Sequence, residues 1–347
     1  MTEPRDGRIA DAVYVLPLRW SRADDGDLTA YLTRLSSWIE VVVVDGSPPD
    51  VFAEHHARWA GLVTHVAPRP PGDDENGKVV GVLCGLRTTR SSLVVVADDD
   101  VRYDRADLVR LVELLGDAEL VRPQNVFRPM PWHAVWDTAR TLINRALGGD
   151  HPGTIGFRRA ALPEGYDSHV LFENLELVRT VRAGGGREIR AQDLFVERRP
   201  PSTARFIAQR VRQAYDSQAQ PARLAVELSL LPATLWAARR PWRLALLACA
   251  AVLVAQRGRL RAGGRERFPA AALAFAPVWV VERALCSWAA LGCRLTGGIG
   301  YAGSRLRTAA HSERWIRRHR PPGTPTTRSV GASRARPAPL SRETSRR

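Results

Sequence analysis

Two β-branched runs that stop abruptly in acidic turns constrain this chain most. Residues 39–44 read Ile-Glu-Val-Val-Val-Val and break at Asp45-Gly46-Ser47-Pro48-Pro49; residues 92–97 read Ser-Leu-Val-Val-Val-Ala and run straight into Asp98-Asp99-Asp100. Runs this apolar, ended by turn residues, are strands buried on both faces. A third short run, 13–18, precedes them, and segments of helical spacing lie between (28–39, 50–60, 78–89), with a weaker strand at 61–66. Strand–helix alternation of this kind predicts an α/β domain with a mainly parallel sheet.

The pattern continues with a helix over 105–116, a strand over 118–122, helices over 132–147 and 169–183, a strand over 187–196, and one Arg/Gln-rich helix over 204–218. After Pro221 come three apolar stretches, 224–238, 242–256 and 269–293, separated by Arg-rich breaks. The first two are shorter than the roughly 20 residues a span requires, and the third carries Pro277, Glu282 and Arg283. Trp236, Trp242, Trp279 and Trp288 beside Arg clusters at 239–243 and 257–267 suit lipid headgroups, with a buried helical core or interfacial hairpin as the alternative. The expected organisation is an α/β unit over 1–220, membrane-associated helices over 221–300, and a basic tail over 301–347, disordered from about residue 320.

Charge sharpens this division. The net charge is +15, yet residues 1–256 carry 32 basic and 32 acidic side chains. The excess lies in the run 257–267 and in the tail, which argues against a nucleic-acid-binding body. Lys78 is the only lysine. Cys84, Cys249, Cys286 and Cys293 have no metal-ligand spacing and fit a reducing compartment. Residues 1–12 lack the apolar core of a secretory signal, so the α/β unit is expected on the cytoplasmic side of the cell membrane.

Ligands bind at the carboxyl edge of open α/β sheets, where Asp98–Asp100 must lie. Three adjacent carboxylates there need a cation, and Mg²⁺ or Mn²⁺ suits oxygen donors and diphosphates. One of Asp98 and Asp100 is read as binding the ion while the other holds a ribose or a neighbouring group. Asp45 ends a strand of the same sheet and is read as a base or ribose contact.

In combination these segments resemble the inverting, GT-A-fold glycosyltransferases of family 2, especially the processive and lipid-acceptor branches. Val42–Ser47 resembles the first nucleotide-binding strand, Asn76-Gly77-Lys78 the segment over base and phosphates, and Val96–Val101 the D-x-D metal motif. Gly153–Arg159 with Phe172–Leu177 resembles the acceptor-side block ending in Glu-Asp, and Gln209-Arg210-Val211-Arg212-Gln213 the Q-x-x-R-W motif. The resemblance covers roughly residues 12–220. It implies a nucleotide-sugar donor held by Asp45, Lys78, Asp98, Gln209 and Arg210, a Mg²⁺ or Mn²⁺ ion on Asp98 and Asp100, Arg212 among the catalytic groups, and a membrane lipid or lipid-linked acceptor.

Two positions depart from the family pattern. Asn174 stands where the base aspartate is expected, and Gln213 replaces the tryptophan. An amide cannot abstract a proton. Glu173, then Glu176, are the substitutes expected from sequence, and restoring aspartate at 174 is expected to preserve or raise activity. A nucleotidyltransferase and a catalytically silent nucleotide-sugar-binding scaffold stand as alternatives.

Overall fold

The computed structural model describes residues 7–23 and 26–319; the segment from 320 onward, expected to be disordered, lies outside the described residues. Strands β1 (Ala12–Leu18), β2 (Glu40–Asp45), β3 (Thr64–Val66), β4 (Leu93–Ala97), β5 (Val101–Arg102), β6 (Leu120–Phe127), β7 (Thr154–Arg158) and β8 (Glu188–Arg198) form one sheet in the order β3-β2-β1-β4-β7-β6-β8-β5. The first four are mutually parallel, and β6 pairs parallel with β8. The sheet is mixed rather than mainly parallel throughout, because β7 enters antiparallel between β4 and β6, and β5 runs antiparallel to β8. Strand direction depends on which end the chain enters from, and residue type does not encode that.

Helices α1 (Asp27–Ser36), α2 (Pro49–Trp59), α3 (Gly77–Thr88), α4 (Arg105–Leu114), α5 (Trp132–Leu147) and α6 (Glu173–Ala183) alternate with these strands. The sheet is buried on both faces, which is why its inner strands read as unbroken apolar runs. Tyr14, Leu16 and Val43 pack on one side with Leu28, Leu32 and Trp59; Val13, Val15 and Val42 pack on the other with Val79 and Val82. Helix α3 lies directly on β1 because Gly85 has no side chain: a Cβ there would meet Val15 Cγ1 at 2.5 Å.

The Arg/Gln-rich helix expected over 204–218 is broken at Gln209 into α7 (Thr203–Ala208) and α8 (Arg210–Tyr215), followed by a 3-10 turn, Asp216–Ala219. Ser202 caps α7 by accepting from Arg205 N at 3.3 Å. Helices α9 (Pro221–Ala237), α10 (Pro241–Leu260), the short α11 (Gly264–Arg267) and α12 (Ala276–Leu295) follow. They do not stand apart from the α/β unit. Helix α10 packs on α5, α12 packs on α8 and α9, and Leu142, Ile143, Ala255, Phe268 and Trp279 share one apolar core. Ala270–Leu295 is long and apolar enough to cross a membrane, and a third of its most apolar stretch is buried in the protein.

Residues 301–319 depart from the expected tail. Strands β9 (Ile299–Tyr301) and β10 (Ser304–Leu306) form a hairpin, and α13 (Glu313–His319) packs on α6. The connecting segment adds main-chain bonds to the loop before α6, Leu171 N to Thr308 O at 2.9 Å and Phe172 N to Ala309 O at 2.7 Å. Basic composition concealed this because Leu306, Ala309 and Ile316 bury only one side of each turn.

Candidate active site

The carboxyl ends of β1, β2 and β4 open onto a cavity of about 810 Å³, walled on its far side by α7, α8 and the 216–219 turn and roofed by Tyr301 and Ala302. Asp98 and Asp100 converge on one side chain, that of Arg198. The backbone turns there, Val101 N donating to Asp98 O at 3.1 Å, and only then resumes as β5. Arg198, paired in register with Val101, lies between the two acids: Nε is 2.9 Å from each Asp100 oxygen and Nη2 is 3.3 Å from Asp98 Oδ2. Burial pushes the Asp100 carboxyl up to about 6 against the pull of Arg198, its acidic neighbours adding to the rise. Gly153 closes this corner, since a Cβ would meet Asp98 Oδ2 at 2.6 Å.

Lys78 reaches the same point from the first turn of α3. Asn76 caps that helix, accepting from Lys78 N at 3.0 Å while its amide donates to Val170 O at 3.0 Å. Lys78 Nζ bonds Asp98 and lies 2.6 Å from Glu173 Oε1. Burial works against the ammonium charge, but Asp98 and Glu173 hold its pKa well above the usual lysine value.

The other residues singled out from sequence divide between the cavity and the frame around it. Arg212 lines the cavity with its guanidinium 4.9 Å over the Tyr301 ring, and among the described residues no carboxylate lies within ion-pair distance. Gln209 lines it at the α7–α8 break. Arg210 also borders it, but its guanidinium is committed to Asp137 at 3.0 Å and Glu282 at 3.4 Å, so it ties α8 to α5 and α12 instead of being available for a diphosphate.

Asp45 does not present a carboxylate to a base or ribose. Its side chain is fully buried, with Oδ1 accepting from Ser47 N at 2.8 Å and Oδ2 facing His55 Nδ1 at 2.7 Å and His65 Nε2 at 3.2 Å. Burial alone would raise its pKa; the bonds from His65, Ser47 and His55 outweigh it and set it at about 2. Glu176 is likewise turned away from the cavity. The i, i+3 pair with Glu173 spans the helix edge, and Glu176, 1% exposed, accepts from His311 N at 2.7 Å. Asn174 Nδ2 donates to Pro152 O at 3.1 Å, so a carboxylate at 174 would face a carbonyl oxygen.

Sequence reading missed Arg198, Tyr301 and Asp216. Arg198 lies two residues past the strand expected over 187–196, and its register against β5 is not written in the local sequence. Tyr301 and Asp216 are brought in by chain reversals that no local pattern announces.

The residues present fit a divalent ion. Among the described residues no group of three or more His, Cys, Asp or Glu could hold a metal by itself. Mg²⁺-type sites commonly use one or two carboxylates and complete the shell with substrate phosphates and water, which is what convergent Asp98 and Asp100 offer.

No protein-family description matches the chain, and none of the curated proteins is similar to it in sequence. Among solved structures it is similar to a mannosyltransferase from Pyrobaculum calidifontis in complex with GDP-Man and Mn²⁺, with 18% identity over 80% of this chain and 87% of that one and a TM-score of 0.47. It is also similar to S. aureus TarS 1–349 in complex with UDP-GlcNAc, with 13% identity over 57% of this chain and 60% of that one and a TM-score of 0.40. A third is glucosyl-3-phosphoglycerate synthase from Mycobacterium tuberculosis in complex with Mn²⁺, UDP and phosphoglyceric acid, with 17% identity, 61% and 76% coverage and a TM-score of 0.39.

Proposed function

We propose that this chain is a GT-A-type glycosyltransferase that moves a sugar from a nucleotide-sugar donor to a hydroxyl of a lipid or lipid-linked acceptor, with inversion, at the cytoplasmic face of the cell membrane. One observation carries the reading: the chain's single lysine, an arginine with no carboxylate in ion-pair range among the described residues, and two convergent aspartates share one cavity at the carboxyl edge of parallel strands. A diphosphate with a divalent cation is the ligand that uses all of them.

Lys78 and Arg212 would bind the diphosphate oxygens, Arg212 through its planar fork. Asp98 and Asp100 would hold Mg²⁺ or Mn²⁺, which when bound neutralises charge on the departing nucleoside diphosphate. The nucleoside would lie along Gly46, Ser47 and Pro68, with Asp45 setting that wall through Ser47 and His65. Tyr301 would close the cavity over the sugar and keep water out.

Exposed Trp236, Trp242 and Trp288, with Leu246, Leu253 and Leu285, give α9, α10 and α12 an apolar outer face, and Arg239 and Arg240 lie beside it. Such a face suits the bilayer interface and a membrane-borne acceptor.

Calorimetry of a nucleotide-sugar panel with and without Mn²⁺ or Mg²⁺, followed by transfer to a lipid extract, tests the reading. Metal-dependent donor binding with transfer supports it, and absence of binding to every donor sinks it. Asn174 favours one rival, the silent scaffold, which predicts binding without turnover. A nucleotidyltransferase would instead release pyrophosphate from a nucleoside triphosphate.

A further inference from the structure

We infer that Asp216 is the general base that deprotonates the acceptor hydroxyl, an inference that rests on the glycosyltransferase reading above. The argument begins with which carboxylates the cavity leaves uncommitted. Eight line it. Asp98 and Glu173 are bonded to Lys78, Asp100 to Arg198, and Asp99 to the Trp20 indole. Asp45 is enclosed by its histidines, Asp137 pairs with Arg140 and Arg210, and Asp150 accepts from Arg140, Thr141 and Asn144. Among the described residues, Asp216 alone of the eight has no side-chain hydrogen bond or ion pair. His151, the cavity's histidine, meets Arg122 Nη1 through Nδ1 at 2.8 Å.

Position supports the same residue. Asp216 opens the turn after α8, four residues beyond Arg212, so both lie on one side of this segment. Arg212 is the proposed diphosphate contact, and Asp216 faces Glu173 of α6 as well as Arg212; inversion requires the acceptor hydroxyl to enter opposite the departing diphosphate, and the inference places that hydroxyl between the sugar and Asp216. The charged groups facing it are Arg212 from α8, Glu173 from α6, Arg223 from α9 and Arg283 from α12. Burial pushes its carboxyl up to about 7; Arg212 opposes the rise and Glu173 adds to it. A base poised near neutrality takes a proton effectively at working pH.

In the step itself, the acceptor oxygen forms a bond to the sugar's anomeric carbon. The bond from that carbon to the diphosphate oxygen breaks, and its electron pair leaves with the nucleoside diphosphate. The hydroxyl proton passes to the Asp216 carboxylate and then to solvent. Asn174 is thereby relieved of the role its position implies.

The test uses the full chain with a panel of UDP- and GDP-linked sugars and a membrane-lipid extract as acceptor, following nucleoside diphosphate release, donor affinity by calorimetry and the pH–rate profile. Wild-type kcat should rise with pH through about 7. Asp216→Asn should lower kcat by about 10²–10⁴-fold and abolish that rise, with donor affinity unchanged. Asp216→Glu, which keeps the ionisable group, should recover part of the rate with a displaced midpoint. Wild-type kcat and pH profile in Asp216→Asn would overturn the inference and leave the glycosyltransferase reading intact. Donor binding without release by the wild type overturns it in favour of the silent scaffold. No binding of any donor of the panel by the wild type overturns the reading and the inference together.

Discussion

Lys78 Nζ lies 2.6 Å from Glu173 Oε1, and the same ammonium bonds Asp98. One cation thus joins the strand-end acids to the first turn of α6, although 95 residues separate Lys78 from Glu173. Replacing Lys78 with Met leaves Glu173 without its cation and Asp98 with Arg198 alone. The expected outcome is loss of donor binding in calorimetry and a stability loss of about 1–3 kcal/mol in urea unfolding. Unchanged donor affinity would remove Lys78 from the diphosphate site.

Glu173→Gln keeps the shape of that contact and removes its charge. If Glu173 positions Lys78 and does not take the acceptor proton, donor affinity should fall several-fold while kcat at saturating donor falls by less than about tenfold. A kcat loss as large as that expected of Asp216→Asn would return the proton-accepting role to Glu173.

Arg198 supplies the positive charge between Asp98 and Asp100. Arg198→Gln should therefore tighten binding of Mn²⁺ alone, measured by titration calorimetry, because two hard oxygen donors lose a competing cation. Asp100→Asn should abolish metal-dependent donor binding. An Asp100→Asn protein with wild-type metal dependence would rule out that pair as the ion's ligands.

The Asp45 carboxyl is held at about 2, below its unfolded value of about 3.9, so the sign of its linkage is fixed. Its stabilisation is present above about pH 4 and is lost as pH falls through about 2. The contribution is of order 1–2 kcal/mol after allowance for screening. Asp45→Asn should lower the melting temperature at pH 7 and shrink the difference from wild type on acidification. A constant difference down to pH 2 would show that the hydrogen-bonded charge is not what Asp45 supplies.

Apolar burial in lipid is not screened by salt, whereas contacts between Arg side chains and headgroups are, within about 8 Å at physiological ionic strength. The protein should sediment with membranes and resist a high-salt wash. The triple variant Trp242→Ser, Leu246→Ser, Trp288→Ser should move to the soluble fraction while keeping donor affinity. Full release of the wild type by salt alone would eliminate insertion of the apolar face.

The sheet was legible because its inner strands are buried on both faces, which forces unbroken Val and Ile runs, and because turn residues must follow where such strands end. That is why Asp45 and Asp98–Asp100 could be assigned to one sheet edge from local pattern alone, and why helix 132–147 was read to its ends from its repeat of apolar positions. What the local pattern could not contain is which way each side chain faces once distant segments arrive. Asp45 turned inward because His55 and His65, on α2 and β3, offered it donors; Asp98 and Asp100 turned together because β8 brought Arg198 between them. Glu173 and Glu176 have the same residue type and neighbouring positions, yet one meets Lys78 and the other His311, because α6 is wedged between α3 and the returning C-terminal segment. The carboxylate left uncommitted, Asp216, has no local signature. Its difference from the others is that, among the described residues, no donor comes within hydrogen-bond or ion-pair distance of its carboxylate although Arg212, Arg223 and Arg283 face it, which only the packed chain decides.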